Sequence, residues 1–202
     1  MLAALVERAA ALCAGPGRSV LGIVGAPGAG KSTLADALVQ ALDGRAVLVP
    51  MDGFHLADGE LARLGRADRK GAPDTFDAAG YVHLLRRLVD RRDEVVYAPV
   101  FRRELELAEA GALPVPPTAP LVVTEGNYLL LDGAFAPVRG LLTECWYVDV
   151  DPALRLERLV ARHERHGRTP AAARAWVERS DEANARLVEA TRARADLVVR
   201  LD

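Results

Sequence analysis

The chain has 202 residues, of which 50% are apolar and 27% charged, and this composition excludes a disordered chain. The formal net charge of −2 provides no basic field for nucleic acid or an anionic membrane, so neither is expected as a partner. Cys13 and Cys145 lie far apart, which disfavours a disulfide framework or a cysteine zinc site and fits a cytoplasmic protein. No apolar run approaches the ~18 residues of a membrane span.

Short apolar runs alternate with helical patterns along the chain. Residues 1–15 predict an amphipathic helix, because apolar side chains recur there at helical spacing. Residues 55–75 are polar and contain several glycines, which predicts a long loop or insertion, and 114–120 predict a rigid proline-rich connector. Strands are predicted at 20–24, 46–49, 95–101, 121–124, 145–150 and 197–201, and further helices at 31–42, 81–89, from 151 onward and at 171–190.

Strands separated by helices require crossover connections. This order predicts an α/β fold of three layers with a mainly parallel central sheet, in one domain over 1–202. Ligands of such sheets bind beyond the carboxyl ends of the strands. The residues that directly follow each strand are therefore the first candidates for a functional site.

A glycine-rich sequence connects the first predicted strand to the next helix. It has the form G-x-x-x-x-G-K-S in the strand-to-helix context that a phosphate-binding loop requires. In such loops the backbone N–H groups surround phosphate, the lysine reaches the β- and γ-phosphates, and the serine ligates Mg²⁺. ATP and Mg²⁺ are the expected cofactors, Lys31 is also a catalytic candidate, and Ser32 is a metal-ligand candidate. The predicted nucleotide-binding residues are Gly25, Ala26, Pro27, Gly28, Ala29, Gly30, Lys31, Ser32 and Thr33.

Acidic residues follow two other predicted strands. Asp52 comes after 46–49, where a carboxylate could accept a proton from a substrate hydroxyl or hold a water of Mg²⁺. Glu125 comes after 121–124, which is the usual position for an acid that binds Mg²⁺ or its water. An Asp-Gly turn and a surface acid are the non-functional alternatives. His55 is a further candidate for substrate contact.

The helix that begins after Asp151-Pro152 carries arginines on one face. Arginines on a closing segment can neutralise the charge that develops during phosphoryl transfer. For the stripe as a whole a solvated face is the favoured interpretation. Its last members lie beside a possible glycine hinge at Gly167 and are predicted to be catalytic residues of a lid over 158–170. The stripe comprises Arg155, Arg158, Arg162 and Arg165, with Arg168 after the glycine, and the catalytic candidates are Arg162, Arg165 and Arg168.

This combination of residues resembles the P-loop kinase family of uridine kinase, phosphoribulokinase and the bacterial type of pantothenate kinase. The resemblance covers residues 20–201 and implies a three-layer P-loop NTPase fold with an arginine-bearing lid. It also implies that Asp52 is the base that activates the substrate hydroxyl. The string Thr124-Glu125-Gly126-Asn127 resembles the family's Glu-Gly turn. Residues 69–77 are similar to a substrate-side segment, which makes 55–75 a substrate-side insertion and Lys70 a substrate-binding candidate.

Two positions differ from the named specificities. Uridine kinases carry Asp where this chain has Gly71. Pantothenate kinases continue an Ala-Pro-Val string with Tyr and His, where this chain continues with Phe101, Arg102 and Arg103. These two arginines are substrate-binding candidates that suit an anionic group, and a solvated turn is the alternative. The chain looks most like a shorter bacterial branch labelled nucleoside or nucleotide kinase-like, and sometimes sugar kinase.

The leading hypothesis is an ATP-dependent kinase that transfers the γ-phosphate to a hydroxyl of a small molecule, which is a nucleoside, a pantothenate-like compound or a sugar. The alternatives are a nucleotide-dependent switch or ATPase, and a nucleoside monophosphate kinase. The chain lacks the guanine-reading Asn-Lys-x-Asp string and the transporter-type Ser-Gly-Gly signature, which argues against the switch. The sequence leaves the oligomeric state undecided. A homodimer is the first candidate because dimers are the commonest soluble oligomers, but no interface can be read from the sequence.

Overall fold

A parallel sheet forms the centre of the computed structural model, which describes residues 1–90 and 94–201. Its five strands lie in the order β2-β5-β1-β6-β7, and every neighbouring pair is parallel. The predicted α/β fold with a mainly parallel central sheet is confirmed. The predicted domain boundaries 1–202 include residues 91–93 and 202, which lie outside the described residues. The strands are β1 (Ser19–Val24), β2 (Ala46–Leu48), β3 (Val96–Arg102), β4 (Leu107–Val115), β5 (Leu121–Gly126), β6 (Glu144–Val150) and β7 (Leu197–Leu201).

Helices connect the strands of the sheet. Asp151 caps α6, because its carboxylate accepts hydrogen bonds from the N–H groups of Ala153 and Leu154, and a proline takes the first helical position. A π-helical turn (Val177–Asp181) joins α7 to α8 within the region predicted as one helix. The helices are α1 (Leu2–Leu12), α2 (Lys31–Ala41), α3 (Asp58–Arg63), α4 (Ala78–Asp90), α5 (Ala136–Arg139), α6 (Pro152–Arg165), α7 (Pro170–Trp176) and α8 (Glu182–Glu189).

Both faces of the sheet are buried, as crossover helices require. On one face, α1 and α2 pack against the sheet through Leu5 and Leu38, next to Trp146 of β6. On the other face, α4 contributes Tyr81 and Leu85 to a second apolar cluster. The three layers hold the carboxyl ends of β1, β2 and β5 at one edge. Within the described ranges, none of the helices combines the length and apolar character that crossing a bilayer requires.

The strand predicted at 95–101 exists, but it does not belong to the central sheet. It is β3, which pairs antiparallel with β4 in a separate two-stranded hairpin. The sequence interpretation missed β4 and assigned its Pro114 to a connector, which was wrong. Most of β4 is exposed or half-buried, so its residues lack the apolar run that marks a buried strand. The predicted loop at 55–75 contains α3 and two 3₁₀ turns, Ala67–Arg69 and Pro73–Thr75.

Candidate active site

The glycine-rich segment between β1 and α2 forms a tight loop whose shape depends on its glycines. Gly28 and Gly30 have φ angles of 80° and 91°, which side chains other than glycine rarely adopt. A Cβ on Gly25 would lie 2.8 Å from the carbonyl oxygen of Val148, and one on Gly28 would lie 2.7 Å from Cγ of Leu159. The loop therefore passes close to β6 and α6, and it presents backbone N–H groups at the start of α2.

The lysine of the motif lies over this loop. Lys31 is buried, and its Nζ donates to the carbonyl oxygen of Ala26 (3.1 Å) and to Oδ1 of Asn127 (2.7 Å). Burial lowers the pKa of Lys31, while the charges of Glu125 and Asp52 oppose that shift. Asn127 was not among the predicted site residues. It directly follows the end of β5, so the rule of inspecting strand ends could have found it.

A serine and a carboxylate meet beside the lysine. The Ser32 hydroxyl donates to Oε1 of Glu125 at 2.9 Å. Glu125 lies within β5 and is buried, and this burial, together with the charge of Asp52, raises its pKa against the opposing effects of Lys31 and Ser32. A hydroxyl and a carboxylate are the hard oxygen donors that Mg²⁺ prefers.

The same pair fits a metal that is shared with a nucleotide. Mg²⁺ commonly binds one or two protein oxygens and completes its octahedron with water and phosphate oxygens. In the described part of the chain, no group of three or more His, Cys, Asp or Glu side chains could hold a metal by itself. Ser32 and Glu125, the two predicted metal ligands, thus lie side by side, and their role toward Mg²⁺ stays a prediction.

The candidate base lies in a 3₁₀ turn (Met51–Phe54) that follows β2. This turn packs tightly against the hairpin, because a Cβ on Gly53 would lie 2.5 Å from the carbonyl oxygen of Pro99. The Asp52 carboxylate accepts a hydrogen bond from Nη2 of Arg103 at 3.1 Å. Its charge also influences the pKa values of Lys31 and Glu125. Asp52 is thus close to the lysine, the acid and an arginine of the hairpin turn.

Two predicted substrate-binding residues have structural contacts. The His55 ring lies 4.0 Å from the Phe76 ring and 4.7 Å from the Phe101 ring, measured between centroids. Its Nδ1 is 2.8 Å from the carbonyl oxygen of Asp52, and burial lowers the pKa of His55. Lys70 Nζ donates to Asp58 Oδ1 (2.7 Å) and to a carbonyl oxygen of the hairpin turn (2.8 Å). Both residues hold 55–75 against its neighbours, and their contact with substrate stays a prediction.

The predicted lid arginines have different surroundings. Arg162 is half-buried near the site, and its pKa is lowered by burial and by the charge of Arg103. Arg165 is exposed and donates from Nε to the carbonyl oxygen of Ala161, while the Arg168 guanidinium lies 4.1 Å from the Trp176 ring centre. Arg162 is therefore the member of this set whose charge acts on Lys31. The catalytic roles of all three stay predictions.

Arg155 is buried, although the stripe to which it belongs was interpreted as a solvated face. Its Nη1 donates to the carbonyl oxygen of Pro27 at 3.3 Å, and its Nη2 forms an ion pair with Glu182. The first half of α6 packs on the phosphate-binding loop, so the face that contains Arg155 and Leu159 points inward. The solvated interpretation is therefore wrong for Arg155, whose buried i+4 neighbour Leu159 was the available signal.

The acceptor side shows two further features. Arg102 pairs with Glu109 across the hairpin, with 2.7 Å between Nε and Oε2, so these contacts lie within the hairpin. The carbonyl oxygen of Gly71 accepts hydrogen bonds from Tyr128 Oη (2.5 Å) and Asn184 Nδ2 (3.4 Å). The segment around Gly71 is thereby attached to residues after β5 and in α8.

Comparisons with known proteins match most of this chain to a kinase family. The family model described as phosphoribulokinase / uridine kinase matches residues 20–201. A candidate uridine kinase of Schizosaccharomyces pombe is 31% identical over 97% of this chain and 88% of its own length. The uridine kinase of Leuconostoc citreum is 32% identical over 74% of this chain and 71% of its own. A crystal structure of a candidate fructose transport system kinase from Silicibacter sp. TM1040 is 40% identical, has a TM-score of 0.90, and is matched over 98% of both chains.

Proposed function

The chain belongs to the phosphoribulokinase and uridine kinase family, and we propose that it transfers the γ-phosphate of ATP to a hydroxyl group of a small molecule. The observation that carries this proposal is the meeting of three groups at the carboxyl edge of the sheet. These groups are the phosphate-binding lysine Lys31, the Ser32–Glu125 pair and the carboxylate of Asp52. Phosphoryl transfer to an alcohol requires a lysine that binds the phosphates, oxygen ligands for Mg²⁺ and a base that accepts the proton of the hydroxyl.

The nucleotide side of the proposal rests on the loop at 25–33. Its backbone N–H groups and Lys31 would bind the phosphates, while Ser32 and Glu125 would hold Mg²⁺. When bound, Mg²⁺ and ATP supply a phosphoryl group whose negative charge the ion partly neutralises. Arg162 would add a second cation beside Lys31, since its charge already acts on that lysine. We propose residues 158–170, which contain Arg162, as the lid.

The acceptor side of the proposal rests on Asp52. A carboxylate at the end of β2, near Lys31 and Glu125, can accept the proton of an acceptor hydroxyl as that oxygen attacks the γ-phosphorus. Residues 55–75 and the hairpin turn would form the acceptor's surroundings. A nucleoside, a pantothenate-like compound and a sugar are the acceptor classes to test.

The test is ADP release from Mg·ATP in the presence of nucleosides, nucleoside monophosphates, pantothenate and sugars. We expect Lys31→Ala to abolish turnover, and Asp52→Asn to bind ATP normally but to lose transfer, because an amide cannot accept the proton. Asp36→Asn, an exposed position on α2, is the matched control and should retain wild-type transfer. Near-normal transfer by Asp52→Asn would refute the assignment of the base.

Two outcomes of the same assay correspond to the alternatives. Strict dependence on a monophosphate acceptor would indicate a nucleoside monophosphate kinase. Tight ATP binding with slow hydrolysis that no acceptor accelerates would indicate a nucleotide-dependent switch. A rate that rises with one hydroxyl compound and falls in Asp52→Asn supports the kinase and names its acceptor class.

A further inference from the structure

The hairpin turn brings a second arginine to the candidate base. Arg103 is the first residue after β3, and its Nη2 donates to Oδ2 of Asp52 at 3.1 Å. The two side chains are 46% and 28% exposed, so the pair lies at the mouth of the site and is open to solvent. Its neighbour Arg102 pairs with Glu109 within the hairpin. Arg103 is thus the arginine of the turn that reaches the site.

Contacts outside this pair hold the turn in place. Lys70 Nζ donates to the carbonyl oxygen of Glu106 at 2.8 Å, lies 3.2 Å from the Glu106 carboxylate, and donates to Asp58 at 2.7 Å. Below the turn, β3 packs against Gly53. The turn that carries Arg103 is therefore held by contacts that do not include the bond between Arg103 and Asp52.

Three cations of the site, Lys31, Arg103 and Arg162, lie close enough to influence one another, and the acids that act on them are Asp52, Glu125 and Asp181. The charge of Arg103 acts on Arg162 and on Lys31. Among the residues that the structure describes, the Arg162 side chain has no hydrogen bond or ion pair, and Arg103 pairs with Asp52 alone. If Lys31 and Arg162 bind the nucleotide phosphates, Arg103 is left as a cation on the acceptor side. Its partner in this structure is Asp52, the candidate base.

We propose that Arg103 binds an anionic group of the acceptor, a carboxylate or a phosphate, and that the arrival of this group releases Asp52 to act as the base. The proposal rests on the kinase function proposed above. While Asp52 Oδ2 accepts the hydrogen bond of Arg103, that oxygen is occupied, and an acceptor hydroxyl can use it only after the bond is exchanged. An acceptor anion offers the guanidinium a charge-assisted, bidentate partner in exchange.

The geometry also limits the size of the acceptor. Its hydroxyl would lie one hydrogen-bond length from Asp52, and its anion one such length from Arg103. Because Arg103 and Asp52 are themselves 3.1 Å apart, the hydroxyl and the anion would lie on the order of 10 Å apart. The acceptor is thus a small hydroxy acid, or a phosphorylated sugar or polyol whose two groups are only a few bonds apart.

The experiment compares acceptors that share a hydroxyl and differ in the anion. One arm sets hydroxy acids against their amides, and the other sets sugar phosphates against the free sugars, with ADP release from Mg·ATP as the readout. The variants are Arg103→Ala, Arg103→Lys and the control Arg8→Ala. Arg8 is 43% exposed and pairs with Glu144 at 2.8 Å, at the start of β6 and thus at the opposite edge of the sheet.

Wild type and Arg8→Ala should prefer the anionic member of one arm by about 10- to 100-fold in kcat/KM, the effect of one charge-assisted hydrogen-bonded contact. Arg103→Ala should abolish this preference, because the anion of the acceptor loses its partner. Arg103→Lys should retain part of it, because an ammonium keeps the charge without the planar fork. A wild-type preference that Arg103→Ala leaves unchanged would overturn the proposal.

The remaining outcomes separate this proposal from the kinase assignment. Turnover restricted to neutral acceptors refutes the role of Arg103 and leaves the kinase assignment standing. If ADP release stays at background with every acceptor and Asp52→Asn changes nothing, the kinase assignment fails. In that case, calorimetric titration of wild type and Arg103→Ala with the same anions decides the role of Arg103. Binding that requires Arg103 supports an anion site, and absence of such binding overturns it.

Discussion

The substitution Gly28→Ala tests whether the phosphate-binding loop is held in shape by its contact with α6. Gly28 has a φ of 80°, and a left-handed conformation costs a residue with a Cβ about 1–2 kcal/mol. The added Cβ would also lie 2.7 Å from Leu159 Cγ and 3.1 Å from the carbonyl oxygen of Arg155. Inserting a methyl group into such a packed contact costs about 1–3 kcal/mol. Together these effects should lower the free energy of unfolding by about 2–5 kcal/mol.

The matched control is Gly44→Ala, at a turn after α2. Gly44 has a φ of 76°, and nothing lies within 4 Å of the position that an added Cβ would take. This variant should therefore lose only the conformational part, about 1–2 kcal/mol. Urea denaturation followed by tryptophan fluorescence measures both values. The excess loss in Gly28→Ala, about 1–3 kcal/mol, reports the contact between the loop and α6.

The same pair of variants separates stability from function. The added methyl group in Gly28→Ala pushes the loop and α6 apart, so the affinity of this variant for Mg·ATP should fall, whereas Gly44→Ala should bind Mg·ATP like wild type. Calorimetry measures both affinities. Equal losses of stability in the two variants, with unchanged nucleotide binding in Gly28→Ala, would refute the reasoning.

Three further predictions follow from buried charges. The substitution Arg155→Met keeps the apolar stem of the side chain but leaves Glu182 without its partner. It should lower the free energy of unfolding, measured by urea denaturation, by about 3 kcal/mol. Replacing Glu125 by Gln should raise the Mg²⁺ concentration for half-maximal ADP release about tenfold or more, because a neutral amide is a weaker ligand than a carboxylate. Since burial lowers the pKa of His55 from 6.5, the unfolded chain binds a proton first as the pH falls. Stability should therefore decrease below pH 6.5, by at most about 1.4 kcal/mol per pH unit, and His55→Gln should flatten this dependence in denaturation at several pH values.

Each of these predictions has a contradicting result. Wild-type stability of Arg155→Met would mean that the buried pair contributes nothing beyond packing. An unchanged Mg²⁺ requirement in Glu125→Gln would exclude Glu125 as a ligand. For the pH dependence, His83→Gln, at an exposed position on α4, is the control. If His83→Gln flattened the pH dependence and His55→Gln did not, the assignment to His55 would be wrong.

The sequence alone was sufficient for features that depend on residues close together in the chain. The motif ending in Lys31 and Ser32 predicts its own strand-loop-helix context, because the turn, the glycines and the helix start are all local. The alternation of strands and helices predicts the parallel sheet, since a crossover leaves few other arrangements. From that sheet, the rule of inspecting strand ends led to Asp52 and Glu125, which the structure brings near Lys31.

Only the tertiary structure decided which of the remaining side chains meet. Asp52 and Arg103 are 51 positions apart, and Arg155 and Pro27 are 128 positions apart. Neither contact leaves a periodic pattern in the sequence. An arginine on an amphipathic helix looks the same whether solvent or a neighbouring loop covers it, so the burial of Arg155 was not visible before the packing of α6 was known. The strand β4 was missed because most of it is exposed or half-buried, so it lacks the apolar run that marks a buried strand.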